Sequence, residues 1–200
     1  MTAAPPGQIK YDVFALAEVR QDRYKLLAET VDERLRAFKC ERSLHLQEFA
    51  RSRVSNWEDH GHSRTYVIVT ARDETVDVAG FFTVGMTALN LERASRGVRQ
   101  KLMGNITLTQ TGAYSIAELA RSDDYTSAQL PGTVILDEAK NVIRRARAYV
   151  AGRFVVVDAR REVFEHLYQP AGFKEIDLAE PPMDMSDVEF VTACAVVKSW

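Results

Sequence analysis

Residues 153–158 read Arg-Phe-Val-Val-Val-Asp, so Phe154, Val155, Val156 and Val157 put apolar side chains on both faces of any strand they form. Such a strand must be covered on both sides, as in the centre of a sheet flanked by helices. The preceding segment supplies a cover. Ile135, Leu136, Ala139, Val142, Ile143, Ala146 and Val150 fall on one helical stripe, which Gly152 ends. Residues 160–168 form a short helix stopped by Pro170. Strands at 173–176 and 190–197 close the chain, with residues 180–187 as the loop between them.

Upstream, Tyr24, Leu27, Val31, Leu35 and Phe38 recur at helical spacing, and residues 12–16 either open that helix or form a short strand. A second helix is expected over residues 44–57, with Leu46, Phe49, Ala50, Val54 and Trp57 inward. The loop Asp59-His60-Gly61-His62-Ser63 follows it. Residues 65–71 and 76–84 are rich in β-branched and aromatic residues and are joined by a turn at 72–75, which predicts an antiparallel hairpin. Residues 91–103 read as a basic helix, and residues 114–120 as a third strand leading into a turn at 122–132.

No repeat, low-complexity tract or linker interrupts this order, which predicts one α/β (α+β) domain over residues 11–200. Its first part (11–63) is helical and its core (64–200) is a mixed, mostly antiparallel sheet. Residues 1–10 lack the basic region and apolar core of a signal peptide and read as a loose tail. No apolar run approaches the roughly 20 residues of a membrane span. Cys40 and Cys194 fit reduced thiols, so the expected compartment is the cytoplasm and no membrane partner is expected. A formal charge of −2 gives no global attraction to nucleic acid.

Three pieces in sequence carry a resemblance: Val78-Ala79-Gly80-Phe81 at the hairpin, the strand–turn–helix of residues 116–146, and Val155-Val156-Val157-Asp158 followed by Tyr168 and Gly172-Phe173. In this order they resemble the GNAT N-acetyltransferase superfamily over residues 65–197. The resemblance implies a GNAT acyltransferase fold, acetyl-CoA as co-substrate, an amine-bearing acceptor and no metal. It places the cofactor against Leu119, Ala120 and Arg121 and against the turn Gln129, Leu130, Gly132, Thr133 and Val134. This turn departs from the superfamily's Arg/Gln-x-x-Gly-x-Gly/Ala: the last small position holds Val134, and Pro131 has no N–H to offer. Physically, free N–H groups at a helix start bind the pyrophosphate, and an unpaired strand edge pairs with the pantetheine amides. The donors expected at the turn are the N–H groups of Leu130, Gly132, Thr133 and Val134, with the Thr133 hydroxyl.

The resemblance also makes Tyr168 the acid that protonates the departing thiolate. Read from the residues alone, Tyr168 is equally a core aromatic beside Phe164 and Leu167. Glu118 is expected mid-strand, either as the base that takes the ammonium proton or as a solvent-facing or Arg-paired carboxylate. Leu119 is nominated for its N–H, an oxyanion-type donor to the thioester carbonyl. His60 and His62 lack the spacing that specifies a metal. Lys140, Arg144, Arg145 and Arg147, like Arg93, Arg96, Arg99 and Lys101, read as solvated faces.

Two function classes follow. One is an N-acetyltransferase acting on a small-molecule, protein or aminoacyl-tRNA amine. Residues 51–57 with Ser63-Arg64-Thr65-Tyr66 resemble the toxin-like branch that acetylates aminoacyl-tRNA, although the net charge lacks the basic surface RNA prefers. The other is a catalytically inactive GNAT-fold binding or regulatory module. Exposed edge strands leave room for a homodimer.

Overall fold

The computed structural model describes residues 7–21, 24–72, 75–92, 94, 96–105, 108–176 and 190–197. The expected 180–187 loop, Asp73 and Glu74 of the hairpin turn, Arg93, and the first six residues of the tail lie outside them, as does the side chain of Lys101. The chain forms two compact units, Met1–Gly85 with Glu118–Val142, and Met86–Ala117 with Ile143–Trp200. Of the three boundaries, one falls within a strand, one within a helix and one, at Ala117/Glu118, between two strands.

In the first unit, β1 (Asp12–Ala15) pairs antiparallel with β2 (Arg64–Arg72). The N-terminal part is therefore not wholly helical: residues 12–15 are a strand, and Leu16 starts the short helix α1 (Leu16–Val19). β2 pairs in turn with β3 (Thr75–Asn90). The register shifts between Ile68 and Val69, whose partners are Gly80 and Val78. Ala79 is thus an extra residue, and this bulge puts Val78 and Phe81 on one face although they are three apart. That face meets α2 (Lys25–Arg36), α3 (Leu44–Glu48), a π-helical turn (Phe49–Arg53) and α4 (Val54–Asp59) in one core with Val31, Leu35, Phe38, Phe49 and Val54. Phe81 anchors it, edge-on to Phe38 at 5.2 Å and stacked on Phe49 at 6.0 Å.

Two expected core residues lie elsewhere. Tyr24 precedes the helix and is exposed. Trp57 is 40% exposed, because the π-helical turn adds a residue and rotates the following stripe so that Glu58 turns inward instead. Buried Glu58 accepts from the Arg64 guanidinium and from the Thr65 N–H at 2.6 Å, which satisfies the charge.

In the second unit the strand order is β3, β4 (Gln110–Ser115), β6 (Phe154–Arg160), β8 (Phe190–Val196) and β7 (Lys174–Glu175). β4 runs parallel to β6, while β8 is antiparallel to both β6 and β7. Phe154 to Val157 are buried on both faces, as their composition requires. Leu89, Leu91, Leu102, Met103, Ala113, Phe154, Val156, Ile176 and Cys194 form the core of this unit. β3 continues six residues past the expected end at Val84, so the next helix, α5, starts at Arg96 rather than at residue 91.

The helix at Gly132–Ala146, α6, buries Ile135, Leu136, Ala139, Val142 and Ile143, but ends before Val150, which is 52% exposed. The chain reverses there because Gly152 packs on the Tyr114 ring, where a Cβ would come within 2.3 Å. Tyr114 Oη also donates to the Val150 carbonyl. α7 (Arg161–Val163) and a second π-helical turn (Phe164–Tyr168) follow β6. Cys40 and Cys194 are free, buried thiols. Among the described residues, no helix is long and apolar enough to cross a membrane.

Candidate functional site

The expected continuous strand at 114–120 is broken, and the break defines the site. β4 pairs with β6 at Tyr114↔Val155 and Ser115↔Val156, with one further bond from Ile116 N–H to Val156 O at 3.1 Å. The chain then leaves that ladder. The short strand β5 (Leu119–Arg121) instead pairs antiparallel with β3 in the first unit, Leu119 opposite Phe82, Ala120 opposite Phe81, Arg121 opposite Gly80. Bonds from Thr83 N–H to Glu118 O (2.9 Å) and from Ser122 N–H to Ala79 O (2.9 Å) set the phase of this ladder. By its alternation, the N–H groups of Leu119 and Arg121 point away from β3. Among the described residues β5 thus presents a free edge, with Leu119 N–H its first donor.

Glu118 sits in the break, not mid-strand as expected. Its main chain is held twice by buried Thr83, whose hydroxyl accepts the Glu118 N–H at 3.0 Å in place of a carbonyl. Its carboxylate meets the His45 Nε2 at 2.8 Å. The partner is thus neither solvent nor an arginine, and His45 is a residue the sequence reading missed. Seventy-three positions separate the two, and no local pattern links them.

The cofactor turn is built by closing polar groups on one another. Gln129 Oε1 accepts from both the N–H and the hydroxyl of Thr126. The Leu130 N–H donates to Thr126 O at 3.0 Å, and the Val134 N–H to Pro131 O at 3.0 Å. Of the four expected N–H donors, these two are spent inside the turn. Gly132 and Thr133 remain as the open donors of the first turn of α6, and Thr133 is exposed. Tyr125 ties the preceding loop to β3 by donating to buried Asp77 at 2.8 Å. Burial and Asp77 push the Tyr125 phenol up to about 12, so it stays a donor.

Gly80 lets the turn approach. A Cβ there would meet Ala120 O at 2.7 Å and Leu130 Cδ2 at 3.3 Å. Arg121 reaches the same turn, donating from Nη1 to Leu130 O at 3.0 Å, while its buried Nε has no partner among the described residues. Burial first, and then Arg42, pull the guanidinium below its usual pKa, although it remains charged near neutrality. Arg42 donates to Arg121 O at 2.9 Å and to Asp123 at 2.7 Å.

Tyr168 belongs to the second unit. It ends the π-helical turn, is 5% exposed, and meets Phe173 edge-on at 5.3 Å. Its carbonyl accepts the Phe173 N–H at 3.1 Å, and Gly172 makes the reversal with φ +90°. Asp158, ten residues earlier, accepts from Thr192 Oγ1.

His60 and His62 rings stack at 6.2 Å, and His60 Nδ1 donates to Asn56 O. Among the described residues, no group of three or more ligands is placed to hold a metal. Arg144 and Arg145 are exposed, but Lys140 is buried with its ammonium 3.8 Å from Asp137, so that position is not on a solvated face. A shallow depression of about 540 Å³ in the first unit, lined by Thr30, Glu33, Arg34, Ala37, Thr75 and Val76, contains none of the candidate residues.

No protein-family model and no curated protein matches the sequence. Solved structures do. A tyrosine-to-phenylalanine mutant of KacT aligns at 15% identity over 94% of this chain and 96% of its own, with a TM-score of 0.69. AtaT complexed with acetyl-methionyl-tRNAfMet aligns at 18% identity over 95% and 96%, with a TM-score of 0.67. AtaTR bound with AcCoA aligns at 18% identity over 94% of each chain, with a TM-score of 0.60. The fold is that of the GNAT acyltransferases.

Proposed function

We propose that this chain is an acetyl-CoA-dependent N-acetyltransferase that passes an acetyl group to a primary amine by direct attack on the thioester. The observation that carries the proposal is the free edge of β5 followed by the open start of α6. Leu119 and Arg121 offer N–H groups to the pantetheine amides and the thioester carbonyl, with Ala120 between them pairing to β3. Gly132 and Thr133 offer N–H groups to the pyrophosphate, and Arg121 and the Thr133 hydroxyl lie beside them. Gln129, Leu130 and Val134 shape that turn through their own hydrogen bonds.

The chemistry asked of the chain is mainly positioning. Holding the thioester against an amine removes on the order of 7–11 kcal/mol of entropic barrier. Leu119 N–H stabilises the oxyanion as the carbonyl carbon turns tetrahedral. The C–S bond then breaks, and the thiolate must take up a proton; the resemblance nominates the Tyr168 phenol for that role. Glu118 supplies the negative charge that makes its end of β5 proton-accepting. The likeness to AtaTR bound with AcCoA supports the cofactor assignment.

The acceptor we favour is the amine of an aminoacyl-tRNA. The likeness to AtaT complexed with acetyl-methionyl-tRNAfMet supports it and extends over 95% of this chain, including the helices before β2. Free-thiol release from acetyl-CoA tests both claims, with methionyl-tRNA, a lysine peptide and spermidine as acceptors. The reading predicts release with methionyl-tRNA and a loss of turnover in Tyr168→Phe by about 10²-fold or more, with cofactor affinity retained. Release only with the peptide or spermidine removes the tRNA assignment. Thermal stabilisation by acetyl-CoA without release from any acceptor identifies a binding module instead.

A further inference from the structure

We propose that His45 is the proton acceptor for the incoming amine and that Glu118 is its positioning residue. The inference deepens the acetyltransferase reading and rests on it.

Glu118 directly precedes Leu119, whose N–H heads the free edge of β5. Its main chain is locked onto Thr83 through both N–H and C=O, and its side chain is only 13% exposed. The carboxylate therefore has little freedom, and it spends Oε1 on His45 Nε2 at 2.8 Å. An ionised carboxylate accepts and cannot donate, so Nε2 carries the hydrogen in this contact. When the ring is neutral, the lone pair is then on Nδ1. Among the described residues His45 Nδ1 makes no hydrogen bond, and the side chain is 44% exposed. A base that must meet a solvent-borne acceptor needs that combination: one nitrogen fixed, the other open.

The short helix that carries His45 is itself tied down at its start. Ser43 caps α3 by accepting from Leu46 N–H, and Gln47 Oε1 accepts from Cys40 N–H at 3.0 Å. The hydrogen bond to Glu118 raises the His45 pKa above its ordinary value; burial and Arg53 oppose the rise, and the Glu118 and Glu48 charges add to it. A base strengthened this way is better matched to an ammonium group than an ordinary imidazole.

The step balances. The acceptor arrives as an ammonium and gives one proton to Nδ1, which frees the nitrogen lone pair. That pair attacks the thioester carbonyl carbon and forms the C–N bond. The C–S bond breaks with its electrons on sulfur; the second nitrogen proton is lost to solvent as the amide forms, the thiolate takes one proton from its acid, and solvent returns one proton to that acid. The imidazolium returns its proton to solvent. An acylated amine and a free thiol result, and no oxidant or reductant is needed.

The test is the pH profile of thiol release from acetyl-CoA for wild type, His45→Gln and Glu118→Gln, with methionyl-tRNA, spermidine and a lysine peptide as probes. Thermal stability and acetyl-CoA affinity are measured alongside. The expected wild-type kcat/KM rises with pH through an apparent pKa above the ordinary histidine value of about 6.5. His45→Gln loses that rise and at least about 10²-fold in rate, with cofactor affinity kept. Glu118→Gln keeps a rise but moves it back toward about 6.5. A wild-type profile in His45→Gln overturns the inference. So does a loss of stability or affinity in that variant while its residual activity keeps the wild-type rise, which marks a purely structural contact. Wild type that releases no thiol with any probe overturns the acetyltransferase reading and this inference with it. Wild-type turnover with an unaltered His45→Gln profile overturns this inference alone.

Discussion

Residues 110–121 look like one strand with a turn after it, but their two halves use the backbone in opposite ways. Gln110–Ser115 lies between β3 and β6 in the second unit, with Tyr114 and Ser115 paired to β6, and its Tyr114 ring receives the Gly152 backbone. Among the described residues, Leu119–Arg121 pairs with β3 alone, in the first unit, and leaves its other edge unspent. A strand's hydrogen-bonding capacity can go to folding or be kept for a ligand, and the break at Ile116–Glu118 is where this chain switches from one to the other. Thr83 makes the switch affordable: its hydroxyl takes the Glu118 N–H that regular pairing would have satisfied.

Substitutions can break or sharpen this contrast. The largest effect is expected from Gly80→Val. The new side chain meets Ala120 O and Leu130, so β5 and the turn must move apart. The expected cost is about 1–3 kcal/mol of stability, with acetyl-CoA affinity lost in the folded fraction, read by denaturant melts and calorimetric titration. Unchanged affinity would mean that the β5 edge does not hold the cofactor. Next is Thr83→Val, which keeps the shape and strands the Glu118 N–H. It should cost about 1–2 kcal/mol and slow turnover more than it weakens cofactor binding.

The control on the committed half is Tyr114→Phe, which removes the bond to the Val150 carbonyl. It should cost about 1 kcal/mol in a denaturant melt and leave acetyl-CoA affinity and the pH profile unaltered. The smallest effect concerns His45. Its folded pKa is raised by Glu118, so the pair's stabilisation is complete below the unfolded value of about 6.5 and fades as pH rises through the folded value. The stability gap between wild type and His45→Gln should thus narrow from about pH 6.5 upward, and with the ring partly exposed it stays under about 1 kcal/mol. A gap that widens with pH contradicts the assigned pairing.

Which features were legible in the sequence follows the same physical division. β6 was plain because four successive apolar residues leave a strand no exposed face, and α6 because its stripe repeats at helical spacing. The turn at 129–134 was visible through its glycine and proline. Hidden features depended on phase or on distance. One added residue in the π-helical turn exchanged Trp57 for Glu58 in the core, and one bulge residue at Ala79 realigned β3. The break at Ile116–Glu118 has no signature in its apolar flanks, because pairing partners rather than residue types decide it. Which N–H donors of the turn stay open was equally unreadable, since Leu130 and Val134 spend theirs on carbonyls only the fold brings near. The His45–Glu118 contact is long-range and polar, and it left no trace in any window of sequence.

Amide-resolved hydrogen exchange by NMR, with and without saturating acetyl-CoA, tests the central claim most directly. The account predicts that Leu119, Arg121, Gly132 and Thr133 gain protection on binding, while Tyr114 and Ser115 of β4, already committed to the sheet, change little. Binding that protects none of those four amides, or protects both halves of the 110–121 segment alike, would contradict it.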